Sequence, residues 1–120
     1  MNQVLIAEDE AILRLLAVET LQDAGYCVFQ AGDGEAALEL LKNNPGIRIL
    51  VSDVKMPRMD GYALAQAGLT VRPDLKILMM TGYAQELPAG ILRDREIRTL
   101  HKPFSLDELC RLVGELLARS

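Results

Sequence analysis

The sequence predicts an α/β fold: a doubly wound parallel sheet with helices on both faces. Three observations carry that expectation. Short apolar runs alternate with longer stretches of helical period, and they do so five times, which is the pattern of successive βα units. The first, third and fourth runs are nearly unbroken hydrophobic stretches, as strands covered on both faces should be, so they are the central candidates. The chain has 120 residues, half of them hydrophobic and a quarter charged, which fits one domain, 1–120, with one core. Surface scaling lets a chain of this size bury about two thirds of its surface without disulfide or metal staples.

The elements follow in order along the chain. The first strand is read over Gln3 to Ala7 and the first helix near Glu10 to Ala24. The second pair is Tyr26 to Ala31 and Gly34 to Lys42, closed by the turn cluster Asn43-Asn44-Pro45-Gly46. The third strand, Ile47 to Ser52, precedes a loop ending in Asp60-Gly61 and a helix over Gly61 to Val71. Arg72-Pro73-Asp74 turns the chain into the fourth strand, Lys76 to Met80. The helix expected near Ala84 to Leu92 carries Pro88 and Gly90, each of which weakens a helix interior, so it is expected to be short or mobile. The fifth strand is Ile97 to Leu100. The last helix, Leu106 to Ala118, has the best start signal: Ser105 as cap, Glu108 completing a capping box, and Phe104 with Leu109 as a hydrophobic staple.

Charge and composition exclude several functions. Thirteen Lys and Arg against seventeen Asp and Glu leave a net charge of -4, a poor footprint for holding a polyanion, so no direct contact with nucleic acid is expected. The longest apolar runs, such as Ile77-Leu78-Met79-Met80, fall far short of the ~20 residues of a membrane helix. No basic segment precedes an apolar one at the start, so the chain does not read as secreted. Cys27 and Cys110 stand alone, and the expectation is a cytoplasmic protein that keeps both reduced.

The polar residues that interrupt the strands do so at their carboxyl ends: Glu8-Asp9 after the first, Asp53 after the third, Thr81 after the fourth, Lys102 after the fifth. In an open doubly wound sheet the ligand crevice lies outside those ends, where strand order reverses. If the order is 2-1-3-4-5, Glu8, Asp9 and Asp53 converge there. Crowded carboxylates call for a cation, and oxygen-only ligands favour a hard one, Mg²⁺ before Ca²⁺ or Mn²⁺. Three carboxylates, a hydroxyl and a lysine suit phosphoryl transfer to a carboxylate: an Asp as nucleophile, a cation and Lys neutralising the transferring oxygens, a hydroxyl holding one of them. Asp53 is the natural acceptor because the other groups flank it.

With these residues in view, the chain resembles a response-regulator receiver domain over its whole length, similar to the chemotaxis-type receivers with a flavodoxin-like (βα)5 fold. The motifs are Glu8-Asp9 after VLIA, Asp53 opening DVKMPRMDG, Thr81-Gly82 after ILMM, and Lys102-Pro103-Phe104 before the last helix. The resemblance implies that Asp53 accepts a phosphoryl group from a phosphohistidine of a sensor histidine kinase or histidine phosphotransfer protein. It also implies that Glu8, Asp9, Asp53 and the backbone carbonyl of Lys55 hold Mg²⁺. By the same resemblance Thr81 and Lys102 are expected to contact the phosphoryl group and the Lys102-Pro103 bond to be cis, and Lys55 and Tyr83 are expected to flank the phosphoryl group and set its lifetime. Such a chain catalyses only its own phosphorylation and dephosphorylation. With no output domain after Ser120, the signal is expected to leave through a downstream protein partner or a phosphorelay.

Two positions depart from the common pattern. Glu8-Asp9 stands where many receivers have two Asp, and Thr99 stands where the family places a switching aromatic. The chain is similar in this to a subgroup with Thr-Gly-Tyr after the fourth strand. The expected moving element is therefore the segment Thr81 to Leu92, with Gly82 supplying backbone freedom and Thr99 passive.

Other readings compete. A flavin-binding protein of this architecture needs a hydroxyl- and amide-rich loop after the first strand, where Glu8-Asp9-Glu10 stands. A hydrolase of the haloacid-dehalogenase type resembles a pattern with a second Asp two residues after the nucleophile, where Lys55 stands. The runner-up is a receiver fold acting as a phosphorylation-independent binding module. His101 is read as exposed or partly packed, Met56 and Met59 as loop-packing residues, and both cysteines as packing residues.

Overall fold

In the computed structural model, residues 2–82 and 97–119 are described. Five parallel strands form one sheet in the order β2-β1-β3-β4-β5, where β1 is Gln3–Ala7, β2 Cys27–Ala31, β3 Ile47–Asp53, β4 Lys76–Thr81 and β5 Ile97–His101. The helices among the described residues are α1 Ala11–Asp23, α2 Gly34–Asn43, α3 Gly61–Val71 and α4 Leu106–Ala118. This is the flavodoxin-like arrangement. The helix expected near Ala84 to Leu92 lies outside the described residues.

The strand pattern dictates the layers. In β1, Val4 and Ile6 turn to one face with Ile49 and Val51 of β3 and Leu78 and Met80 of β4; α1 and α4 cover that face through Ala17, Val18, Leu21, Leu109, Leu112, Val113 and Leu116. The alternate residues Leu5, Ala7, Leu50, Ile77 and Met79 turn to the opposite face, covered by Ala37 and Leu41 of α2 and Leu64, Ala65 and Leu69 of α3. A strand buried on both faces has no polar side to alternate with, which is why β1, β3 and β4 are the continuous runs and sit in the middle. Edge strand β2 is only partly buried until Ala31.

Three helix starts are capped by side chains. Asp33 Oδ1 accepts from the Ala36 N–H at 2.7 Å, Asp60 Oδ1 from Ala63 at 2.8 Å, and Ser105 Oγ from Glu108 at 3.0 Å. The Ser105 cap is the one expected from sequence, and Phe104 packs on the core cluster that contains Leu109. Helix α1 differs: Glu10 is its first flanking residue and caps nothing with its side chain. The expected strand ends move by one residue, so that Asp53, Thr81 and His101 are the last residues of their strands. The ladder carries them, since Asp53 pairs with Met80 and Thr81 with His101.

Candidate functional site

Parallel strands of similar length bring their carboxyl ends to one edge, and that edge holds the polar residues. The Glu8 N–H donates to the Ala31 carbonyl at 3.0 Å, extending the β1–β2 ladder past Ala7 and bringing the Glu8 side chain to the sheet's rim. Glu8 is 1% exposed and Asp53 8%, so both carboxylates are largely withdrawn from water, whereas Asp9 is exposed. Oxygens of Glu8, Asp9 and Asp53 all lie within 4.8 Å of one another.

Lys102 supplies the counter-charge. Its Nζ lies 3.2 Å from Glu8 Oε1 and 3.2 Å from Asp53 Oδ2. Its position comes from the chain: the Lys102 N–H donates to the Thr81 carbonyl at 2.7 Å, and the Lys102–Pro103 bond is cis. Burial lowers its proton affinity, but the carboxylates of Glu8 and Asp53 more than reverse this and raise its pKa above the ordinary lysine value. Glu8 is pushed up to about 7, first by burial, against the Glu10 N–H bond that lowers it; Asp53 and Asp9 raise it further and Lys102 lowers it.

The loops on either side are fixed by backbone groups. Arg14 Nη1 donates to the Glu8 carbonyl at 2.7 Å and pins the turn between β1 and α1. After β3, the Val54 N–H donates to Met80 and its carbonyl accepts from Gly61 at 2.8 Å, so the loop folds back on the end of the sheet. A Cβ on Gly61 would stand 2.2 Å from the Asp53 carbonyl oxygen, so only glycine permits α3 to start this close to Asp53. Met56 and Met59 pack against the core under α2 and α3, as expected. Arg58 takes a positive φ of 71° in this loop and lies 4.0 Å from Asp33.

The structure brings Glu8, Asp9, Asp53 and Lys102 together. Thr81 follows Met80, the register partner of Asp53, and is buried, but its hydroxyl shares a hydrogen bond of 3.0 Å with Nδ1 of His101. This pairing was not expected from sequence. The signal for it lies in topology: two polar residues at the ends of neighbouring parallel strands. Lys55 is exposed two residues past Asp53, and Gly82 is exposed. Tyr83 lies outside the described residues. Gly82, Lys102, Pro103, Phe104 and Leu13 line a cleft of about 590 Å³ beside the carboxylates. The adjoining helix α1 exposes Ile12 (71%), Leu15 (52%) and Leu16 (42%).

The donor set fits a hard divalent cation: three carboxylates from two adjacent strand ends, with neither His nor Cys among them. One face of that cluster carries an ammonium, so an anionic group placed against Asp53 meets positive charge from Lys102.

Comparison with known proteins agrees with this architecture. Residues 4–114 match the family model described as response regulator receiver domain. The chain is 36% identical over 118 residues to the response regulator receiver protein CpdR of Brucella abortus (strain 2308), covering 98% of both. It is 41% identical over 118 residues to the sensor kinase CckA of the same organism, covering 97% of this chain but only 12% of the kinase. Among solved structures, a response regulator receiver protein from Sinorhizobium medicae WSM419 superposes with a TM-score of 0.87 at 33% identity, covering 98% of this chain and 94% of that one.

Proposed function

The chain belongs to the response regulator receiver domain family and is a phosphoryl-accepting element of two-component signalling; from that premise we propose that Asp53 is the acceptor and that a phosphohistidine of a sensor histidine kinase or histidine phosphotransfer protein is the donor. The observation that carries the proposal is the pairing of Asp53 with Lys102 at 3.2 Å inside a cluster of three carboxylates. A carboxylate oxygen of Asp53 bonds to phosphorus as the phosphorus–nitrogen bond breaks, and that bond's electron pair stays with the departing imidazole. The product is an acyl phosphate.

Lys102 holds positive charge where the transferring oxygens gather, and the Thr81 hydroxyl offers one hydrogen bond to them. Glu8, Asp9, Asp53 and the backbone carbonyl of Lys55 are the groups proposed to hold Mg²⁺, which when bound neutralises charge on those oxygens. Lys55 and Tyr83 are proposed to govern the approach of water to the acyl phosphate, and the departure at Thr99 assigns the conformational response to the segment that begins at Thr81 and Gly82. The chain acts on no other substrate in this account. It works in the cytoplasm, and its signal passes to a protein partner.

Treatment with a small phosphodonor such as acetyl phosphate, followed by intact mass measurement, tests this. One added phosphoryl group that requires Mg²⁺ supports the reading. No added mass at any Mg²⁺ concentration overturns it in favour of a phosphorylation-independent binding module.

A further inference from the structure

The Thr81 hydroxyl sits in a place where it can serve only one acceptor at a time. It is buried at the end of β4, and its one described side-chain partner is Nδ1 of His101, 3.0 Å away at the end of β5. Two features fix that pair, and a third opens it to solvent. Thr81 and His101 are register partners in the parallel ladder. The Thr81 carbonyl is held at 2.7 Å by the N–H of Lys102, the residue after His101. The imidazole is exposed, so water can deliver or remove a ring proton.

A hydroxyl carries one proton and can accept others, while a neutral imidazole carries a proton on one nitrogen only. The pair therefore has two arrangements. With Nδ1 bare, the Thr81 proton is spent on His101. With Nδ1 protonated, His101 donates to the Thr81 oxygen and leaves the hydroxyl proton for another acceptor. A phosphoryl oxygen on Asp53 accepts only. Resting on the reading of Asp53 as acceptor, we propose that His101 is a positioning residue for Thr81, releasing and orienting its hydroxyl proton by presenting Nδ1–H when Asp53 is phosphorylated. The proton gained at Nδ1 comes from solvent or by exchange of the Nε2 proton through water, so the exchange balances without a further reactant. Position 99 bears a Thr, and on this account His101 is the residue of β5 that answers to the phosphoryl group.

His101 is the only histidine of the chain, so its ring nitrogens give unambiguous NMR signals. Spectra of ¹⁵N-labelled protein are compared with and without beryllium trifluoride and Mg²⁺, with adduct formation on the protein followed separately by ¹⁹F NMR. The expected result is a shift toward the Nδ1–H form on adduct formation, lost in Thr81→Ala. A ring spectrum unchanged in the presence of a formed adduct overturns the inference alone; failure of any adduct to form, together with no phosphoryl group gained from acetyl phosphate, overturns the functional reading and the inference with it.

A kinetic arm separates positioning from packing. His101→Phe keeps a planar ring without the donor and is expected to slow phosphorylation by acetyl phosphate about fivefold, the weight of one neutral hydrogen bond. His101→Asn places an amide N–H near Nδ1 and should restore the rate, while His101→Phe should have no further effect in a Thr81→Ala background. Equal slowing by Phe and Asn, or full additivity with Thr81→Ala, overturns the proposal.

Discussion

The ammonium of Lys102 lies 3.2 Å from Oδ2 of Asp53, although β4 stands between the strands that carry them. The side chain crosses the end of a whole strand to reach its partner, and the same nitrogen touches Glu8 on the far side of β3. One cation thus ties together the carboxyl ends of β1, β3 and β5.

Removing that cation leaves two withdrawn carboxylates facing each other. Breaking a buried pair costs several kcal/mol, but the Lys102 side chain is 24% exposed and water screens part of the loss. Lys102→Met is therefore expected to lower the unfolding free energy of the metal-free protein by about 1–2 kcal/mol near neutral pH. Urea titration checks this, and the deficit should narrow in Mg²⁺, because a bound cation stabilises the fold by linkage. An unchanged midpoint in metal-free buffer would show that the pair contributes nothing.

Glu8 gives the fold a pH dependence of its own. Its folded pKa of about 7 exceeds the ordinary 4.5, so between those values the unfolded chain releases a proton that the folded chain keeps. The unfolded state then binds fewer protons, and stability falls as pH rises from about 4.5 to about 7. The full decline is on the order of 3 kcal/mol at most. The raised pKa of Lys102 acts only above the ordinary lysine value of 10.5, outside that window. Metal-free wild type should lose stability against Glu8→Gln across this range, and saturating Mg²⁺ should shrink the difference because a cation takes the ionised form. Parallel stability curves for the two proteins would contradict it.

Gly61→Ala tests the close approach of α3 to Asp53. The added methyl would stand 2.2 Å from the Asp53 carbonyl and 2.7 Å from Cε of Met79. Backbone must shift to admit it, at a cost of about 1–3 kcal/mol, and the shift falls on Asp53, the proposed acceptor. Melting temperature and the rate of phosphorylation by acetyl phosphate should fall together. A variant as stable and as fast as wild type would mean that the loop yields freely.

The α1 face yields a prediction about the donor. Ile12 and Leu15 are exposed apolar side chains on the helix whose Leu13 lines the cleft with Lys102, and such patches mark contact surfaces. Ile12→Arg with Leu15→Glu should change stability by no more than about 0.5 kcal/mol each. Transfer from a phosphorylated histidine phosphotransfer protein should fall at least tenfold, a loss of about 1.4 kcal/mol, while acetyl phosphate still labels the chain at the wild-type rate. Equal rates from both donors would remove α1 from the docking surface.

What the sequence disclosed, and what it hid, follows from the range of each interaction. The central places of β1, β3 and β4 were legible because burial on two faces leaves a continuous apolar run. Glu8 and Thr81 were legible as the first polar residues after such runs, and Asp53 and Lys102 as charged residues at or just past the carboxyl ends of the third and fifth strands. Ser105 announced its helix through Glu108, whereas Asp33 and Asp60 cap α2 and α3 without that second signal. The bond between Thr81 and His101 depends on register between two strands, and the raised pKa of Glu8 on burial by the whole fold. Neither is encoded in any short stretch of chain.

The central claim is that Asp53 alone accepts the phosphoryl group. Its most direct test is intact mass measurement of wild type and Asp53→Asn after equal exposure to acetyl phosphate and Mg²⁺, with circular dichroism confirming that the variant is folded. The account predicts one added phosphoryl group in wild type and none in Asp53→Asn; labelling of the variant at the wild-type rate would contradict it.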